Sequence, residues 1–382
     1  MSQAALMDSL DVPDHVRQLD SLAVFDAAAP PRYEISFQEE VTYGSISRNF
    51  APAMGGFGPE TAVDDSGMVY RTDRQRKNIR IYNPDGSQQG TIGRNGRGPG
   101  EFVDITSIML HDNRLYAYDP NQMRIQVFSL HPAELDRVIN IEPEQFGSGE
   151  DLEFGRPIAD FHPFGEEQFL AGISQVERDG QGFTGYYVLD GEGERVSDRV
   201  VEVMQHRRFE FTSNRGMAAS MRLPGGRTGV LDVTSDGMVY HANTGEMLIR
   251  VLHSTGDYQR SIWYSYENDP MDTQELVERY GENMYANMPS GELPDVWPAI
   301  HTFFVDDEER IWISTITDDK ENYSWWILSN HGELLSRFSW TVEEELHAVR
   351  DGHLYVAVDQ GEAMDIDRRL VRYEFSLESP NP

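Results

Sequence analysis

Residues 67–82 read GMVYRTDRQRKNIRIY and residues 113–128 read NRLYAYDPNQMRIQVF, one pattern written twice at an interval of 46 residues. Tyr70 falls on Tyr116, Asp73 on Asp119, Ile79 on Ile125, Ile81 on Val127 and Tyr82 on Phe128. Apolar and aromatic residues recur in short strand-like runs, and turns rich in Gly, Asn and Asp separate them. A repeat of this length and content is the signature of a radially repeated β architecture, in which each unit is one sheet.

The same mark recurs along the chain. Six units are countable, at residues 61–92, 105–141, 158–203, 230–264, 300–340 and 346–375. Asp236-Gly-Met-Val-Tyr240 in the fourth repeats Gly67-Met-Val-Tyr70 in the first. Asn83-Pro-Asp-Gly86 is strong turn chemistry, because proline presets φ and glycine accepts a positive one. Each unit is long enough for a four-stranded antiparallel blade. The last one supplies only three strands, and residues 33–41 (YEISF within them) are an unassigned strand at the other end. The expectation is an all-β, six-bladed propeller over residues 33–382, its ring closed by this N-terminal strand. Residues 1–32 are expected to be an extension and linker, with a short helix over residues 12–22 capped by Asp11.

Two insertions break the spacing. Residues 204–229 lie between units three and four, and residues 265–299 lie between units four and five. Asp272 with Glu275 three residues on predicts a capped helix in the second. Both fall in connections from one blade's outermost strand to the next blade's innermost. Such connections share one face of a propeller, so the insertions should cover one mouth of the central channel.

Composition limits the partners. The 382 residues carry 65 acidic and 32 basic side chains, a formal charge of −33, and only Lys77 and Lys320 among the bases are not arginine. Acidity of this degree disfavours nucleic acid and anionic membranes. It fits a protein that works in high salt, where screening shrinks repulsion, or an acidic protein from a GC-rich genome. No apolar run is long enough for a transmembrane helix. Cysteine is absent, which removes disulfides, thiol nucleophiles and thiolate metal ligands. No HExxH pair and no Gly-x-Ser-x-Gly elbow is present. A monomer is expected.

The run Gly93-Arg-Asn-Gly-Arg-Gly-Pro-Gly-Glu-Phe102 invites a phosphate-cradle reading, but a P-loop needs Gly-Lys-Ser/Thr opening a helix, and neither is here. It reads as the joint between two blades, with Phe102 as a plug and Glu101 accepting backbone N–H bonds. Gly55-Gly-Phe-Gly-Pro-Glu60 looks like a partial copy at the previous joint.

With the flanking Asn78-Ile-Arg-Ile-Tyr-Asn-Pro-Asp-Gly86, Leu115-Tyr-Ala-Tyr-Asp119 and Arg124-Ile-Gln-Val-Phe128, this run resembles the six-bladed β-propeller proteins related to NHL repeats, abundant in Bacteroidota and neighbouring phyla. The resemblance is specific over about residues 60–130 and weaker beyond. It implies an exported or lipid-anchored protein, periplasmic or at the cell surface, and no particular activity. This chain departs from the pattern in having no lipobox cysteine and no visible signal peptide. Gly58-Pro59-Glu60 is also similar to the start of the first blade in lactonases resembling gluconolactonase. There a glutamate binds a divalent metal at the channel axis. That resemblance implies a calcium or other divalent site built from Glu60 with Asp104, Asp160 and Asp232, and His301 nearby.

A second candidate site comes from the residues themselves. The first insertion holds His206, Arg207, Arg208, Arg215, Arg222 and Arg227, with Glu210 its only acid. Placed over the channel mouth with Arg94, Arg97 and His301, these side chains suit an anion through forked guanidinium contacts. The leading expectation is therefore a non-catalytic propeller that binds a small-molecule anion or a protein, without a cofactor. The alternative is a metal-dependent lactonase- or lyase-like enzyme.

Overall fold

A computed structural model describes residues 3–48, 60–147, 158–176, 182–212, 218–286, 288, 291, 293–360 and 366–380. Blade 1 comprises Thr61–Val63, Val69–Asp73, Asn78–Tyr82 and Gln88–Ile92; blade 2 comprises Ser107–His111, Arg114–Asp119, Arg124–Leu130 and Ala133–Asn140. Blade 3 is Ile158–Phe164, Gln168–Val176, Gly182–Leu189 and Val201–Met204; blade 4 is Gly229–Val233, Met238–Asn243, Leu248–His253 and Tyr258–Tyr264. Blade 5 is Thr302–Val305, Ile311–Thr315, Asn322–Leu328 and Leu334–Thr341. Blade 6 takes Glu344–Arg350, His353–Gln360 and Ile366–Glu378 from the C-terminal end, and its fourth strand is Glu34–Arg48. That strand pairs antiparallel with Ile366–Glu378 from Glu34↔Glu378 to Arg48↔Ile366, so the ring closes as the strand count requires.

The first strands pack one against the next from blade 1 to blade 5, and that of blade 6 returns to blade 1. They therefore surround the axis. Second and third strands are covered on both faces, which is why Val69–Asp73 and Ile311–Thr315 are buried throughout. The core is divided among six apolar clusters, one at each blade junction. Trp326 belongs to the junction of blades 4 and 5, whereas Trp325, one residue away on the opposite strand face, belongs to that of blades 5 and 6.

The glycine-rich run is a joint. Phe102 is fully buried among Ile79, Ile81 and Ile92 of blade 1 and Ile108 and Phe128 of blade 2. Gly93 has φ +78°, and a Cβ there would lie 2.4 Å from the Phe102 ring, so only glycine allows the plug to seat. Glu101 accepts the Gly98 N–H at 2.9 Å. Residues 55–59 of the partial copy lie outside the described residues.

The N-terminal segment differs from its expectation. Helices occupy Gln3–Ser9 and Asp14–Arg17, and Asp11 lies at φ +48° without capping either. Leu22–Phe25 is a strand, paired parallel with Tyr258–Tyr264 as a fifth strand of blade 4. Burial decides this: Val12, Val16 and Val24 pack on Leu248 and Trp263, which a continuous helix through residue 22 would leave uncovered. The chain then crosses blade 5, where the Arg32 and Tyr33 N–H groups donate to the Leu334 and Leu335 carbonyls, before it closes blade 6.

Candidate functional site

The first insertion is a hairpin, Arg208–Thr212 paired with Ala218–Arg222. The second holds the helix Thr273–Tyr280, whose Asp272 cap accepts the Glu275 N–H at 2.8 Å, and the short helix Glu282–Tyr285. The two are packed together, with Phe209, Met221 and Leu223 of the hairpin against Tyr285, Met288 and Leu293. This joint cover stands over a cavity of about 470 Å³ whose walls come from blades 2, 3 and 4.

Strand alternation selects what the cavity sees. His206, Arg208 and Arg222 line it, with His301 across from them, and Arg207 does not. Arg208 and Arg222 are directly opposed in the hairpin register. Like charges so placed repel by a few tenths of a kcal/mol to about 1 kcal/mol. The Arg208 guanidinium donates to the Ser220 hydroxyl and carbonyl, both at 3.0 Å. Among the described residues no carboxylate forms an ion pair with Arg208 or Arg222. Loss of water, and then the Arg208 charge, lowers Arg222 below its ordinary value. Burial, with Arg222, Arg208 and His301 adding to it, pushes His206 down to about 4, so its imidazole is neutral at neutral pH.

The remaining anion candidates lie elsewhere. Arg94 pairs with Glu101 at 2.9 Å, and Arg97 is exposed; neither lines the cavity. Arg227 is absent from the lining as well; its Cδ would lie 3.0 Å from a Cβ built at Gly245, on which it packs. Arg215 lies outside the described residues.

Of the carboxylates suggested for a metal, Asp104 and Asp232 tie blades together, whereas Asp160 lines the cavity and Glu60 stays within blade 1. Asp104 of blade 2 pairs with Arg74 at 2.9 Å and Lys77 at 3.4 Å, both of blade 1. Burial alone would raise its pKa, but these two cations outweigh that and hold it low. Asp232 of blade 4 accepts the Val305 N–H of blade 5 at 2.8 Å and lies 3.4 Å from His162 of blade 3. Asp160 accepts the Tyr186 hydroxyl at 2.9 Å and lies 3.7 Å from the other His162 nitrogen. Glu60 acts on the buried Arg71 beside it. Among the described residues no three His, Asp or Glu side chains converge in a way that can hold a metal ion.

The sequence shows no paired metal-ligand spacing around His162. Burial alone would depress it, yet Asp160 and Asp232 raise it to about 9. The available signal was Asp160-Phe-His162, two polar residues on one strand face.

The comparisons with known proteins concern the fold. Residues 62–145 match the family model DUF5128, described as a 6-bladed beta-propeller. The chain is similar to a solved member of the DUF4221 family from Bacteroides vulgatus, at 11% identity, TM-score 0.44, over 91% of this chain and 99% of that one. It is similar to virginiamycin B lyase from Staphylococcus aureus at 12% identity, TM-score 0.41, over 89% and 99% of the two chains. It is similar to the PQQ-bound aldose sugar dehydrogenase of Streptomyces coelicolor at 12% identity, TM-score 0.40, over 91% and 100%. No curated protein matches the chain. Among the described residues no helix is long and apolar enough to cross a membrane.

Proposed function

We propose that this propeller binds a small anionic ligand, without turning it over, in the cavity beneath the two insertions. One observation carries the reading: Arg208 and Arg222 face each other at the cavity wall, with no carboxylate partner among the described residues, in a chain of charge −33. A repulsive pair in an acid-rich protein is stabilised when an anion bridges it. Forked guanidinium donors suit carboxylate or phosphate oxygens. The neutral His206 adds a hydrogen-bonding group without adding a competing charge. Export across the membrane belongs to this reading on the strength of the family resemblance, and a monomeric state is part of the same proposal.

Calorimetry with a panel of carboxylates and phosphates tests it, on the protein and on the Arg208→Ala/Arg222→Ala variant. At least one anion is expected to bind, and the variant is expected to lose at least about tenfold in affinity. Undiminished binding by a folded variant would remove the pair as the site.

A further inference from the structure

Beyond its basic end, the cavity combines apolar side chains, Ile158, Val230 and Ile300 among them, with a set of hydroxyls. Thr106 and Ser107 of blade 2 and Ser174 of blade 3 line it, with residue exposures of 6%, 3% and 4%. Their hydroxyls make no hydrogen bond to any described residue, and none is sealed off as a solvent-free unpaired atom. Three further hydroxyls on the lining are engaged: Thr184 accepts from Gln205, Thr228 donates to the Met204 carbonyl, and Thr244 accepts the Thr228 N–H. The contrast matters. On the blade 2 and blade 3 side, three deeply set hydroxyls are left for whatever enters.

We infer that the ligand is a polyhydroxylated anion, an acidic carbohydrate whose charged group meets Arg208 and Arg222 while its hydroxyls meet Thr106, Ser107 and Ser174. The inference rests on the anion-binding reading above and adds the chemistry of the ligand's body. Each protein hydroxyl both donates and accepts, as a sugar hydroxyl does, so the two sets can pair in either sense. An alkyl or aryl body would drive water from these hydroxyls and leave them unpaired, which is costly for buried polar groups. A bare inorganic anion would occupy the basic end and leave most of the roughly 470 Å³ unfilled.

Matched probes separate the two ends. Glucuronate and glucose 6-phosphate carry both chemistries, glucose only the hydroxyls, cyclohexanecarboxylate only the charge, and inorganic phosphate only the charge without a body. Calorimetry on the full chain is expected to show one acidic sugar binding at least about tenfold more tightly than glucose, cyclohexanecarboxylate and phosphate. Which acidic sugar binds decides between a carboxylate and a phosphate head. In Ser107→Ala/Ser174→Ala that preference over cyclohexanecarboxylate should vanish while cyclohexanecarboxylate binding itself stays unchanged. Binding of cyclohexanecarboxylate or phosphate as tight as that of the acidic sugars overturns the inference and leaves the anion site standing. Glucose binding as tightly as the acidic sugars overturns both. No binding by either acidic sugar at millimolar concentrations also overturns the inference, and phosphate or cyclohexanecarboxylate binding then tells whether the anion site survives.

Discussion

His162 and His206 are strand or strand-edge histidines perturbed in opposite directions, and the difference lies in their neighbours. His162 lies between Asp160 and Asp232, which raise it to about 9. Its protonated form stabilises the fold fully below the unfolded value near 6.5, and that contribution is lost as pH rises through 9. A raised pKa of this size corresponds to roughly 3 kcal/mol. Urea unfolding from pH 6 to 10 should show an alkaline decline that His162→Gln flattens; an unchanged slope would show that the aspartates do not hold its proton. His206 runs the other way: burial and the two arginines hold it at about 4, so stability is lost as pH falls from about 6.5 toward 4. An anion bound beside it favours the protonated ring. Ligand affinity should therefore increase over the same interval in which the free protein weakens, and His206→Gln should remove that pH dependence from the binding isotherm. Neither perturbation could be read from the sequence alone, because Asp232, Arg222 and His301 reach these histidines from other strands, although Asp160 and Arg208 stand only two residues away.

At the level of strands and hairpins, legibility depends on how local the signal is. The repeat around Asp73 and Asp119 was visible because the same turn is built twice. Both aspartates are fully buried, and Lys77 and Met123, again 46 apart, take the same left-handed backbone at φ 56° and 48°. The closing strand was equally legible, since blade 6 lacked one. The Leu22–Phe25 strand was not, because only the edge of blade 4 makes it a strand. The site was half legible. Its arginines stood out against the acid-rich chain, but Thr106, Ser107 and Ser174 are ordinary strand-end residues until the ring gathers three blades around them. Two tests belong here. Phe102→Ala empties a junction shared by two blades and should cost about 3–5 kcal/mol in urea unfolding, whereas Arg97→Ala on the same exposed run should be neutral. In the hairpin, Arg222→Ala removes a cross-strand repulsion, so the free protein should gain about 0.2–1 kcal/mol while anion affinity falls. Loss of both stability and affinity would mean that the pair holds the hairpin in place.

Over the whole molecule, the charge of −33 meets the ring geometry. The N-terminal segment extends blade 4, crosses blade 5 and completes blade 6, so three blades are tied by one stretch of chain before the polar ties between neighbouring blades are counted. Those ties use carboxylates in close, partly buried pairs such as Asp104 with Arg74, which salt screens little. The acids in excess of the bases repel one another over the surface. The screening length falls from about 10 Å at 0.1 M salt to about 3 Å at 1 M, so added salt should relieve the surface repulsion and spare the ties. The urea midpoint is therefore expected to rise steadily with NaCl up to molar concentration, urea being uncharged and leaving the ionic strength alone. A midpoint unchanged over that range would mean that the acids are already neutralised locally, and the high-salt reading of the composition would fail. The cavity should respond with the opposite sign. An anion held by Arg208 and Arg222 competes with chloride and loses attraction as screening grows, so its affinity should fall over the salt range in which the fold strengthens. If affinity and stability rose together with salt, the ligand would owe its binding to burial of apolar surface, and the paired arginines would not be its anchor.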